Sequence, residues 1–192
     1  MARVPAHCHW LRGHCPDRWI RFHSLPESKR YPDNEAEYTI VLDRHYTALA
    51  ELDPDPELLV ITADWTDTPA PTPPKWPRRS EVAPLAQHWQ TLIEDPDDDP
   101  DFRIYTQLYA ETRPWRPRII DAILRAVADD EIYSVILSPP DLRWLYHPYD
   151  GGADVILPTR AERRPGRVAI GARPLDACTS PWRRGDGTFL LD

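Results

Sequence analysis

Residues Leu142 to Leu157 read LRWLYHPYDGGADVIL. Apolar and aromatic residues stand on both sides of Asp150-Gly151-Gly152, and an Asp-Gly pair between two such runs is the strongest short-range hairpin signal. This stretch decides the fold class, because strands joined by so tight a turn pair antiparallel. Alternation puts Arg143, Leu145 and His147 on one face and Leu142, Trp144 and Tyr146 on the other. Asp150 tolerates the left-handed region, so turn chemistry alone accounts for it.

Working outward, Tyr133 to Ser138 (YSVILS) reads as a strand ended by Pro139-Pro140. Before it, Ile119, Ile120, Ile123, Leu124 and Val127 make the apolar stripe of a helix that follows Pro114 and Pro117. His88 to Ile93 and Phe102 to Tyr109 read as two strands around an acidic turn, with Phe102, Ile104 and Leu108 sharing a face. Leu58 to Trp65 (LLVITADW) is a near-continuous apolar run, the pattern of a central strand. Asn34 is placed to cap a helix, with Glu37 at the capping-box position. Tyr38, Leu42, His45, Leu49 and Leu52 then form one stripe, which Pro54 and Pro56 end. Trp19 to Leu25 (WIRFHSL) reads as an early strand. The expectation is an α+β fold, a mostly antiparallel sheet of about seven strands with two long helices over one face.

The bulk composition agrees with one folded domain over residues 1–163. Hydrophobic residues make up 41% and charged residues 28%, with eight Trp and eight Tyr to fill a core. Pro outnumbers Gly 23 to 7, which favours stiff connections. The Pro-rich stretch 66–84 reads as a stiff surface connection or a disordered excursion. Residues 164–192 lose periodicity and read as a poorly ordered tail. Only Lys29 and Lys75 are lysines and Asn34 is the sole asparagine, a bias of GC-rich bacterial coding.

Several features together resemble the bacterial family catalogued as domain of unknown function 3885. They are the helix IIDAILRAV, the strand YSVILS and RWLYHPYDGGADVILPT, with Tyr149, Asp150, Gly151, Gly152, Asp154 and Val155 in the family's pattern. WIRFHSL is similar to the family's early strand, and the resemblance spans Asp17 to Glu162. It implies a fold and brings no assigned chemistry. It also implies a final helix, which Pro165 and Gly166 oppose, so an altered or misread end is the expectation for the tail.

The net charge is −8, and Glu94, Asp95, Asp97, Asp98, Asp99 and Asp101 supply six of those negatives. That balance opposes phosphate-backbone binding, and Arg113, Arg116 and Arg118 make only a local basic cluster. No run reaches membrane-spanning length and no signal-peptide core is present, so the expected location is the cytoplasm. Cys8, Cys15 and Cys178 make no disulfide framework. His7, Cys8, His9, His14 and Cys15 match no zinc-site spacing, and the acidic run lacks a calcium-loop pattern. Neither a metal nor a cofactor is expected.

No catalytic elbow, phosphate loop or dinucleotide fingerprint occurs. The leading expectation is a non-catalytic protein-interaction module, akin to an immunity protein, whose acidic segment Asp97, Asp98 and Asp99 faces a basic protein partner. The alternative is an enzyme or small-ligand sensor. Arg21, His23, Ser24, Ser28, Lys29 and Arg30 offer anion-binding donors, and the 24–31 loop would act with His23 or His147. In the hairpin motif Trp144, Tyr146, Tyr149, Asp150, Gly151, Gly152 and Asp154, structural roles account for the residues.

Overall fold

The structure is a computed structural model and describes residues 13, 15–52, 54–71, 77–93 and 99–159. Seven strands form one sheet in the order β1-β7-β6-β5-β2-β4-β3, every neighbour antiparallel. They are β1 (Trp19–His23), β2 (Glu57–Thr66), β3 (Gln87–Ile93), β4 (Tyr105–Pro114), β5 (Ile136–Ser138), β6 (Leu145–Tyr149) and β7 (Gly152–Ile156). Among the described residues the longer helical elements are α1 (Glu35–Glu51), α2 (Pro77–Val82) and α3 (Asp121–Ala128). The fold is therefore α+β with an antiparallel sheet, two longer helices and a short one, as the hairpin and the periodicities imply.

The helices form because their ends are satisfied and one side is apolar. The Asn34 side chain accepts from the Glu37 backbone N–H at 3.1 Å, closing an orphan donor of the first turn. The Glu37 carboxylate accepts from the Asp33 N–H at 2.7 Å, one residue earlier than a standard capping box. Leu42, Ala48 and Leu49 of α1 meet Ile123, Leu124 and Val127 of α3 over Phe22, Val60, Leu137, Trp144, Tyr146 and Val155 of the sheet. Each fully buried large side chain there contributes roughly 2–3 kcal/mol. The opposite sheet face gathers Leu59, Ile61, Ala63, Leu108 and Ile136, which is why β2 reads as a near-continuous apolar run: it is buried on both faces.

The local corrections share a cause, positive-φ residues and prolines that reset the chain. Arg118 sits at φ 64, so α3 begins at Asp121 while Ile119 and Ile120 pack as a preceding turn. Leu142 at φ 55 leaves the expected alternation and joins Leu145 on the opposite face from Trp144. Pro100 starts a 3-10 turn, so β4 begins at Tyr105 and runs on to Pro114; Phe102 and Ile104 project outward at 76% and 49% exposure instead of sharing the Leu108 face. The strand read from Tyr133 shortens to β5, with Ser134 at φ 53. The Pro-rich stretch 66–84 carries α2, with Pro77 as its first residue, where a missing N–H costs nothing. The tail from 164 lies outside the described residues, as do His7, Cys8, His9 and His14.

Candidate functional site

Strand directions decide which loops meet. β1, β2, β3 and β6 finish at one end of the sheet, where β4, β5 and β7 begin. That end gathers the 24–31 loop, the 150–151 turn, the 129–134 turn and the connection from β3 to β4. The loop and the hairpin turn touch. The Ser24 N–H donates to the Gly151 carbonyl at 3.0 Å, and Arg30 Nη2 lies 2.6 Å from Asp150 Oδ2. A Cβ on Gly152 would fall 1.9 Å from the Phe22 carbonyl oxygen, so the second glycine of the turn is demanded by the close approach of β1.

The candidate residues divide into separate sets. Ser24 Oγ lies 3.1 Å from His45 Nε2, and His45 Nδ1 lies 2.6 Å from the Tyr146 hydroxyl. Whichever ring nitrogen holds the proton, one hydroxyl accepts and the other donates. The order Ser, His, hydroxyl resembles a nucleophile relay, but all three groups are sealed inside, at 1%, 2% and 0% exposure. Burial lowers the His45 pKa to about 3, so the ring is neutral at physiological pH, and it pushes the Tyr146 hydroxyl well above its usual value.

Successive residues of a strand face opposite ways, so His23 stands on the other side of the sheet from Ser24. That side carries Arg21, which grips the fully buried Asp154 with two bonds of 2.7 Å and lies between Trp19 and Tyr149 at 5.5 and 5.0 Å. His147 pairs across from Asp154 on β6 and is buried at this same face. Lys29 Nζ is held by Asp33 at 2.7 Å and Glu37 at 2.6 Å. Those bonds, Asp33 first, raise the Lys29 pKa, and the bond to Lys29 lowers that of Glu37. Glu27 and Ser28, at φ 54 and 60, take the left-handed region that favours glycine. Each loop cation thus has its own carboxylate, and Ser24 lies on the opposite side of the sheet from His23 and His147.

A further polar group was not expected from the sequence. Thr62, Asp64 and Thr66 of β2 lie beside Tyr109, Gln107 and Tyr105 of β4 on the helix-facing side of the sheet. Arg79 of α2 reaches down to them: Nη2 is 3.2 Å from Asp64 Oδ2, and the guanidinium lies 3.7 Å from the Tyr109 ring centre. Gln107 accepts from the Thr91 hydroxyl at 2.6 Å and donates to Thr66 Oγ1 at 3.0 Å, with His88 Nε2 3.0 Å away. Arg113 bonds Glu111 and the Val82 carbonyl, while Glu111 accepts from the Leu85 N–H at 2.8 Å. This network ties α2 to the sheet. The available signal was the polar residues inside apolar runs, Asp64 in LLVITADW above all.

At the far side of the shared end, Asp99 and Asp101 directly precede the exposed Phe102 and Ile104; Asp97 and Asp98 lie outside the described residues. Among the described residues no three His, Cys, Asp or Glu side chains gather as a metal set, and no helix is long and apolar enough to cross a membrane. No curated protein and no solved structure matches the chain. A family match does cover the early strand, the sheet, both longer helices and the hairpin: over residues 8–169 the chain belongs to the family described as domain of unknown function (DUF3885).

Proposed function

We propose that this chain is a non-catalytic protein-interaction module that docks a basic protein at the acidic end of its sheet. The observation that carries this reading is Phe102, 76% exposed beside Ile104 at 49%, in a segment that also holds Asp99 and Asp101. A large aromatic left in water next to carboxylates has the make-up of an interface anchor with a charged rim. The acidic connection from Glu94 to Asp101 supplies charge complementarity to a basic surface and speeds encounter. The sealed Ser24–His45–Tyr146 set and the paired loop cations support a binding role over a reactive one.

The test is capture from native lysate with three baits: the unaltered chain, Phe102→Ala, and a chain with Asp97, Asp98 and Asp99 all changed to Lys. The expected result is recovery of a protein of basic isoelectric point by the first bait, weakened on the order of tenfold by either variant. Equal recovery by all three, or none by any, overturns the reading.

A further inference from the structure

The shared end of the sheet carries a second exposed group, on the hairpin side. Tyr31 is 46% exposed and Tyr133 39%. Two carboxylates belong to the same end. Asp150 is 8% exposed and fixed in the turn between β6 and β7, and Asp130 follows α3. Asp150 holds the Tyr31 hydroxyl above its usual pKa, and burial together with Asp130 does the same for Tyr133. Both carboxylates act on both rings and on Arg30. The Arg30 guanidinium lies 2.6 Å from Asp150 and 5.7 Å from the Tyr31 ring.

We propose that Tyr31, Tyr133, Asp130 and Asp150 form a recognition site for an arginine side chain, held in the isolated chain by its own Arg30. Carboxylates fork-bond a planar guanidinium and aromatic rings attract its charge, so the lining suits this group more than a compact ammonium. Arg30 is a weak occupant because its side chain is 65% exposed and water competes for its pair. An incoming arginine that brings further contacts displaces it at little cost. That the arginine belongs to a protein partner rests on the docking reading above; the binding of a guanidinium does not. The hairpin turn and the acidic tip lie four strand spacings apart, about 20 Å, which one face of standard size spans.

The probe is Nα-acetyl-L-arginine amide, titrated by NMR into the full chain. Arg30→Ala empties the site and is expected to bind the probe about fivefold more tightly than the unaltered chain. In the Arg30→Ala background, Asp150→Asn is expected to remove that gain and Tyr133→Ala to weaken it. Tyr133 is half exposed, so its variant stays informative even where Asp150→Asn fails to fold. The corresponding lysine amide is expected to bind less tightly. Equal affinity of the unaltered and Arg30→Ala chains, or an unchanged affinity on adding Tyr133→Ala, overturns the proposal. Probe binding beside a failed capture sinks only the docking reading; capture that depends on Phe102 beside unmoved probe signals sinks only the arginine site.

Discussion

On β7, β6 and the Trp144 that precedes β6, the surface under the helices is Ala153, Val155, Trp144 and Tyr146; past Leu58 and Val60 of β2, and across onto β4, it becomes Thr62, Asp64, Gln107, Tyr109 and Glu111. Both surfaces are buried. The first is closed by area, where two longer helices remove apolar groups from water and no single contact decides the outcome. The second is closed by directed pairs, because α2 has only six residues and reaches the sheet through Arg79, Val82 and the bonds of Arg113. An apolar seal tolerates exchange of shape for similar shape. A polar seal fails when one member is lost, since its partner stays buried and unsatisfied.

The largest effect tests the apolar half at the point where it has no slack. In Gly152→Ala the new methyl would stand 1.9 Å from the Phe22 carbonyl oxygen, so β1 and β7 must separate. We expect a loss on the order of 4 kcal/mol, much of a small domain's stability, read as the denaturant midpoint. A loss under about 1 kcal/mol would show that β1 yields freely and that this half is looser than its packing implies.

The polar half is probed next by a double-mutant cycle at Arg79 and Asp64. Either Arg79→Met or Asp64→Leu alone removes one half of an ion pair whose members are at most 6% exposed and is expected to cost about 3 kcal/mol. The two together replace the pair with apolar bulk, and the double variant is expected to recover most of that loss. Additive losses would show that each charge is held independently of the other, and the contrast between the two seals would disappear.

These two halves also differ in how far they could be read in advance. From Trp144 through the hairpin the levels agreed: Asp-Gly-Gly, alternation and the aromatic pair Trp144 and Tyr146 all pointed to buried antiparallel strands, and only Leu142, at φ 55, left the pattern. The Asn34 cap and the stripe through Leu42, His45 and Leu49 were legible for the same reason, and α1 ends where Pro54 and Pro56 forbid more. Around β4 the levels conflicted. Phe102 and Ile104 keep strand alternation, yet Asp99 caps a turn at Pro100 and throws both outward. α2 was hidden among prolines, and its pairing of Arg79 with Asp64 spans elements that no local period connects. The arginine site is of that kind too: Tyr31, Asp130, Tyr133 and Asp150 come from three loops that meet only through strand order.

A pH measurement sharpens the comparison, because the apolar half holds one polar network of its own. Below the ordinary histidine value of 6.5 the unfolded chain takes up a proton at His45, and the folded chain does not until about pH 3. The contribution is therefore complete above pH 6.5 and is lost as pH falls, at about 1.4 kcal/mol per unit, or roughly 2 kcal/mol by pH 5. His45→Gln lacks this dependence, so the stability gap between it and the unaltered chain should narrow by that amount from pH 7.5 to 5. A gap that stays constant would mean that the ring is charged or hydrated inside the fold, and that the apolar half is not sealed there.

The smallest effect is the most diagnostic for the polar side. Phe102→Ser removes an exposed ring, and exposed positions away from caps and buried networks change stability by no more than about 0.5 kcal/mol. The denaturant midpoint should therefore hardly move, while binding to a basic partner falls steeply. A stability loss above about 1 kcal/mol would place the ring inside the chain's own packing and leave nothing at this tip to anchor a partner. The pairing of the two readouts matters more than either alone, since only a side chain kept for an outside surface weakens binding without weakening the fold.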